Sequence, residues 1–269
     1  MEKIDVAALA GDEVGWTLLA TLYLRAWESR GEHPILGDRF AVEALERIDH
    51  DARTLHRRTR PEGNQYLVGM RARRLDDWSA AFLARRPDAV VLHLGCGLDS
   101  RAFRLAPPAP AEWFDVDLPA VVAVRRQLYE DGDRYRMLGA SVTDPGWLDE
   151  VPTGRPVLVV AEGLLMYLAE DDVRALLVRL ADRFDTGELI FDGMAPWLTR
   201  FVGPTRWGIA DGRTLEAWHP RLHLLDQLSV GAGAEQIPDR TYRTIWRWGE
   251  RIPGWRRILR TFRFRIGGV

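Results

Sequence analysis

The residues best suited to chemistry lie between Ala89 and Asp117. An apolar run, Ala89-Val90-Val91-Leu92-His93-Leu94, ends in Gly95-Cys96-Gly97-Leu98-Asp99-Ser100, and twenty residues past Gly97 the chain reads Phe114-Asp115-Val116-Asp117. Glycines let a backbone turn sharply and approach a ligand closely, and a helix that follows such a turn aims its free amides at the ligand. A second strand ending in a carboxylate then places an acceptor where ribose hydroxyls can be held. The third glycine of the dinucleotide fingerprint is missing, because position 100 is Ser100. Close helix–strand packing under a pyrophosphate is less well provided for, so a nucleoside without phosphates, such as S-adenosylmethionine (SAM), fits better. A strand-end turn without a ligand is the plain alternative.

Other residue types invite chemistry elsewhere. Glu162 follows the apolar run Pro156 to Ala161. A buried carboxylate there is costly unless paired, so it has either a structural partner or a ligand. His219 and His223 are the candidates for a general base. Their i, i+4 spacing resembles a metal pair, but Pro220 stands between them and no acid completes a zinc motif, so no metal is expected. Among the eleven tryptophans, Trp27, Trp197, Trp207 and Trp218, with Tyr23, could form an aromatic wall for a flat acceptor, against the plainer reading of core packing. The last thirty residues hold nine arginines against one acid, Glu250. Thr261-Phe262-Arg263-Phe264-Arg265-Ile266 alternates as a half-buried strand does, so this basicity is read as a solvated face or an acidic-partner site, with no nucleic acid.

These residues need a scaffold. The 269-residue chain, 46% apolar and 28% charged with a net charge of −2, has the composition of a globular enzyme and no global pull toward nucleic acid or anionic membrane. Its single cysteine, Cys96, excludes an internal disulfide and fits a reducing cytoplasm. Met1-Glu2-Lys3-Ile4-Asp5 is expected not to begin a signal peptide. The longest apolar run, Val157 to Leu168, is interrupted by Glu162 and too short for a bilayer. Helical periodicity predicts helices over 13–29, 39–48 and 65–85, so a helical cap spans 1–86. From 87 to 269, strands at 89–94, 112–116, 135–140, 156–161 and 188–192 alternate with helices at 119–130, 146–150 and 170–184. Residues 222–230 and 258–267 complete a doubly wound, mostly parallel seven-stranded α/β sheet, with a lid insertion at about 195–221.

Four motifs in order carry a resemblance. Val91 to Arg101, Phe114-Asp115-Val116-Asp117-Leu118-Pro119, Val160 to Leu168 and the arginine-bearing stretch Gly69 to Phe82 resemble those of the leucine carboxyl methyltransferase-like family, class I SAM-dependent O-methyltransferases that include a bacterial natural-product branch. The resemblance implies a Rossmann-like core with Gly95, Cys96 and Gly97 under the cofactor. It implies that Arg71 holds the methionine carboxylate through its planar fork, that Asp117 with Leu118 meets the ribose, and that Glu162 and Tyr167 reach the cofactor. Asp115, on the same strand face as Asp117, is the weaker ribose candidate. Where relatives carry Asp-Leu for the adenine, this chain has Ser141-Val142, with Asp144 nearby as the substitute acceptor. The implied activity is methyl transfer to a carboxylate or phenol of a small polyketide-like acceptor, with no membrane partner. The alternatives are methylation of a peptide or protein C-terminus, an NAD(P)-dependent oxidoreductase, and a SAM-binding module without catalysis.

Overall fold

The computed structural model describes residues 3–6 and 13–267, without the side chains of Glu13 and Val14. Met1 and Glu2 of the N-terminal reading lie outside the described residues. Four helices come first: α1 (Glu13–Ser29), α2 (Arg39–Arg47), α3 (Ala52–Thr59) and α4 (Pro61–Arg85). Helix α3 was not expected. It is a charged two-turn segment that buries only Leu55 and Thr59, but Asp51 caps it by accepting from the Arg53 and Thr54 amides. Arg60 then turns the chain at φ 47° into Pro61, the first residue of α4.

The sheet follows: β1 (Val90–Leu94), the short α5 (Arg101–Leu105), β2 (Glu112–Asp117), α6 (Pro119–Leu128), β3 (Tyr135–Gly139), β4 (Val157–Ala161), α7 (Glu170–Arg183), β5 (Gly187–Met194), β6 (Leu222–Ser229), α8 (Arg240–Gly249) and β7 (Leu259–Ile266). The strand order is β3-β2-β1-β4-β5-β7-β6. Strands β1 to β5 pair in parallel, whereas β7 is antiparallel to both β5 and β6. Period-two alternation distributes the apolar side chains to two faces. Val90, Leu92, Phe114, Val159 and Leu189 meet α7 through Val173, Leu177 and Leu180. Val91, Trp113, Leu158 and Ile190 meet α4 through Leu75, Trp78 and Phe82. Both faces are covered, which explains why the central strands read as unbroken apolar runs. Helices α1, α2 and α3 pack on α6 through Leu22, Leu45, Leu55, Val121 and Val124. Among the described residues no helix is long and apolar enough to cross a membrane.

Strand order reverses direction between β1 and β4, so the connections leaving these two strands diverge and open a crevice at the carboxyl edge. Asp115 on β2 stabilises the wall behind this crevice. It pairs with Arg125 of α6, accepts from Trp113 Nε1 (2.8 Å) and Tyr135 OH (2.5 Å), and contacts His93 Nδ1 (3.1 Å). Burial alone raises a carboxyl, but Arg125 and these hydrogen bonds outweigh it and hold Asp115 at about 2. A depressed folded pKa stabilises above the unfolded value and is lost as pH falls toward the folded one. Asp115 therefore contributes about 2 kcal/mol at neutral pH, lost between about pH 4 and 2. Urea denaturation should show wild type losing more stability over that range than Asp115→Asn; parallel pH profiles would refute it.

Candidate active site

Two adjoining cavities of about 190 and 100 Å³ lie at this crevice and share Thr17, Leu18, Gly95, Gly163 and Tyr167. Their floor is the β1 turn. Gly95 and Gly97 have φ of 59° and 51°, and a Cβ on them would lie 2.7 Å from Leu164 and 2.6 Å from Leu18. Both need glycine for conformation and for space. The roof is α1, whose Thr17, Leu18, Thr21 and Arg25 recur at helical spacing over the turn.

At one end the cleft is apolar, with Leu118, Ala140, Val142, Leu164 and Leu168 around Asp117 and Ser141. Asp117 Oδ2 accepts from the Gly97 amide (2.7 Å) and Oδ1 from the Leu118 amide (2.8 Å). Burial raises its pKa against these two hydrogen bonds. The carboxylate is thus fixed in orientation and retains lone pairs for a ligand. The Ser141 hydroxyl is hydrogen-bonded to Thr143 Oγ1 (2.8 Å). Asp144 accepts from the Gly146 amide (3.0 Å) outside the cleft lining, so it does not stand in for an adenine-binding acid.

The other end is a buried ion network. Glu162 Oε1 accepts from Arg71 Nε (3.1 Å) and an Arg25 terminal nitrogen (3.2 Å), while Oε2 accepts from Arg101. Arg71 also binds Asp192 of β5 (3.0 Å), whose other oxygen accepts from the Gly163 amide (2.5 Å). Arg101 reaches Asp76 of α4 (2.7 Å) and Asp99 (3.3 Å), and Arg104 bridges Asp38, Asp76 and Asp99. Burial opposes ionisation of Glu162, but Arg71, Arg101 and Arg25 hold it well below the usual carboxylate range. Asp99 is likewise depressed against burial by Arg25, Arg101 and Arg104. Asp192 goes the other way, since burial outweighs Arg71. Cys96 lines the cleft fully buried, with its thiol pushed up by burial. Tyr167 lines both cavities.

Among the described residues, two buried polar atoms of the cleft wall make no hydrogen bond, Arg25 Nε and Asp99 Oδ2, although Oδ2 has ion contacts at 3.3 Å with terminal nitrogens of Arg25 and Arg101. The sequence reading missed both residues, together with Arg101, Asp192 and the α1 roof.

The structure gathers Arg71, Gly95, Cys96, Gly97, Asp117, Leu118, Ser141, Val142, Glu162 and Tyr167 around one cleft. The proposed base and acceptor residues fall elsewhere. His219 contacts Asp182 near the end of α7 (3.0 Å), and His223 pairs through Arg265 with Glu188 at the start of β5. Both sit toward the amino edge, opposite the cleft, because β6 runs parallel to β5 and begins there. A general base contributes about 10²–10⁴-fold, so His219→Gln and His223→Gln are expected to keep kcat within about twofold of wild type. A hundredfold loss in either would overturn that placement.

The aromatic wall also does not form. Tyr23 is buried on the opposite face of α1 from Arg25, 3.3 Å from His56 Nδ1, and Trp27 packs on the same histidine. Trp218 lies against Trp207 and the core, and Trp197 is exposed on the insertion without lining the cleft. On α1, Trp27 lies on the His56 side and not on the side that roofs the cleft.

The chain has relatives among known proteins. The leucine carboxyl methyltransferase profile matches residues 19–136. The tetracenomycin polyketide synthesis O-methyltransferase TcmP of Streptomyces glaucescens is 45% identical over 82% of this chain and 91% of its own length. The chain belongs to the leucine carboxyl methyltransferase family. The S-adenosyl-L-methionine-dependent methyltransferase dpfgK of Gibberella zeae is 34% identical over 86% of both chains. The fold is shared with a methyltransferase candidate from Thermobifida fusca YX (TM-score 0.59, 15% identity, 91% and 94% of the two chains) and with the StiE O-methyltransferase segment (TM-score 0.51, 15% identity, 80% and 81%).

Proposed function

We propose that the chain is a SAM-dependent O-methyltransferase acting on a small polyketide-like acceptor. Its membership beside TcmP supports the reaction and acceptor class, and the cleft's two unlike ends support the cofactor. The observation that carries the reading lies in one wall, where Arg25 Nε makes no hydrogen bond and Asp99 Oδ2 has only ion contacts at 3.3 Å with Arg25 and Arg101. They suit a zwitterion, whose carboxylate takes a guanidinium N–H and whose ammonium donates to a carboxylate. In this reading Arg71 and Arg25 hold the methionine carboxylate, Asp99 and Glu162 face the ammonium, Asp117 accepts from the ribose, and the apolar end packs the adenine. When bound, SAM supplies a methyl group on a positively charged sulfur that leaves as a neutral thioether.

The chain's part is to bind and orient. Proximity and alignment alone supply several kcal/mol, up to about 7–11 in favourable cases. An acceptor carboxylate is ionised at neutral pH and needs no base, whereas a phenol, at about 10, gains from one. With His219 and His223 remote, the carboxylate is favoured. A dinucleotide is disfavoured by Ser100, which stands where its fingerprint carries a third glycine. In this reading residues 1–86 are the cap on the cofactor side and the insertion at about 195–221 the lid, its part around Arg206 and Trp207 adjoining the cleft through Met166 O. The test is mass spectrometry of a panel of aromatic acids and phenols incubated with the enzyme and SAM. Products heavier by one CH₂ unit support the reading. SAM binding with no transfer to any compound would support a binding module instead.

A further inference from the structure

The arginine-rich C-terminal stretch takes no part in the cleft. Helix α8 packs inward through Tyr242, Trp246 and Gly249. Its outward side carries Ile245, Trp248 and, just past its end, Ile252, a strip at i, i+3, i+7 with Trp248 62% exposed. Arg240, Arg247 and Arg251 form a second exposed strip beside it, with the Arg251 guanidinium 5.0 Å over the Trp248 ring. The insertion continues this character. The Ala195 amide donates to Ile258 O (3.0 Å), and Trp255, before Ile258, packs on Gly249 and Trp246. Beyond Ala195 protrude Trp197, Val202 and Phe201, the last 77% exposed, with Arg200 and Arg206 and no acid from 195 to 210. The Arg206 and Trp207 amides bind Met166 O, so this face adjoins the cleft. The acids on the α8 side are Asp239, which caps the helix, Glu235 against Arg247, and Glu250, which accepts from Ser229.

We propose that this face seats the enzyme on an anionic lipid bilayer, with Trp248, Ile252 and Phe201 entering the interface and the arginines meeting lipid phosphates. Net charge does not forbid this, because screening leaves only the local patch to act. Protruding aromatic and branched aliphatic side chains flanked by arginines are what an interfacial helix presents, and each basic residue near an anionic surface adds attraction. A bilayer needs no concave complement. Self-association through the face would set its arginines against one another.

The test is co-sedimentation of the full chain with vesicles of phosphatidylglycerol and phosphatidylcholine, against phosphatidylcholine alone. The expected result is binding only to the anionic vesicles, a blue shift of tryptophan emission, and release as salt rises. The double variant W248S/I252S, at exposed positions, should bind about tenfold more weakly with unchanged methyl transfer to a soluble acceptor. No binding to anionic vesicles at low salt, or equal binding by the variant, would overturn the proposal. So would equally tight binding to polyglutamate without a blue shift, which assigns the face to an acidic protein, or a dimer that the variant dissociates.

Discussion

Arg101→Met is expected to lower stability by about 3–5 kcal/mol, the range for stranding buried charges by removing one partner, and to cut Tm by roughly 10 °C. Arg101 is wholly buried and serves Asp76, Asp99 and Glu162 together. Methionine fills most of its volume but offers no donor, so three carboxylates lose a shared cation. The network around it holds Arg25, Arg71, Arg101 and Arg104 against Asp38, Asp76, Asp99, Glu162 and Asp192. It already carries more acid than base, and losing one guanidinium widens that excess. Arg101 does not line the cleft, so the first readout is thermal or urea unfolding. A change under about 1 kcal/mol, the scale of an exposed pair, would show that the network is solvated and that its burial has been misread.

Asp117→Ala has the opposite profile. The side chain is half-buried at the rim, and its fold contacts are two backbone amides that border the open cleft. Unfolding should change little, while SAM affinity measured by calorimetry should fall by about ten- to a hundredfold. Hydrogen bonds to a charged acceptor are worth about 1.5–3 kcal/mol. Unchanged affinity with lowered stability would make Asp117 a clasp for the Gly97 turn and nothing more.

What the sequence disclosed follows from which interactions leave a periodic mark. The strands were readable to within a residue or two, because buried parallel strands are short apolar runs bounded by Gly, Pro and charge, as Val157–Ala161 is between Pro156 and Glu162. Helix α4 was readable from Leu75, Trp78 and Phe82, although its start at Pro61 was placed four residues late. Helix α8 was missed although its arginines gather on one side and its tyrosine, isoleucine and tryptophans on the other; only part of that apolar side is buried. The ion network was hidden for another reason. Arg25, Asp38, Asp76, Asp99 and Arg101 are brought together from four separate segments, and long-range polar pairing has no spacing to read. Glu162 announced itself only as a carboxylate needing a partner. It has three arginines, so the structural-partner alternative is met in full. His219 and His223 misled because i, i+4 spacing says nothing about which edge of a sheet a residue reaches.

The most direct measurement is a crystal structure with S-adenosylhomocysteine. The ribose hydroxyls should lie within hydrogen-bond distance of Asp117, the adenine beside Leu118 and Val142, and the amino-acid tail between Arg25, Arg71 and Asp99. A ligand bound elsewhere, with Leu18 still seated on Gly97 and Arg25 Nε still without a hydrogen bond, would contradict the account.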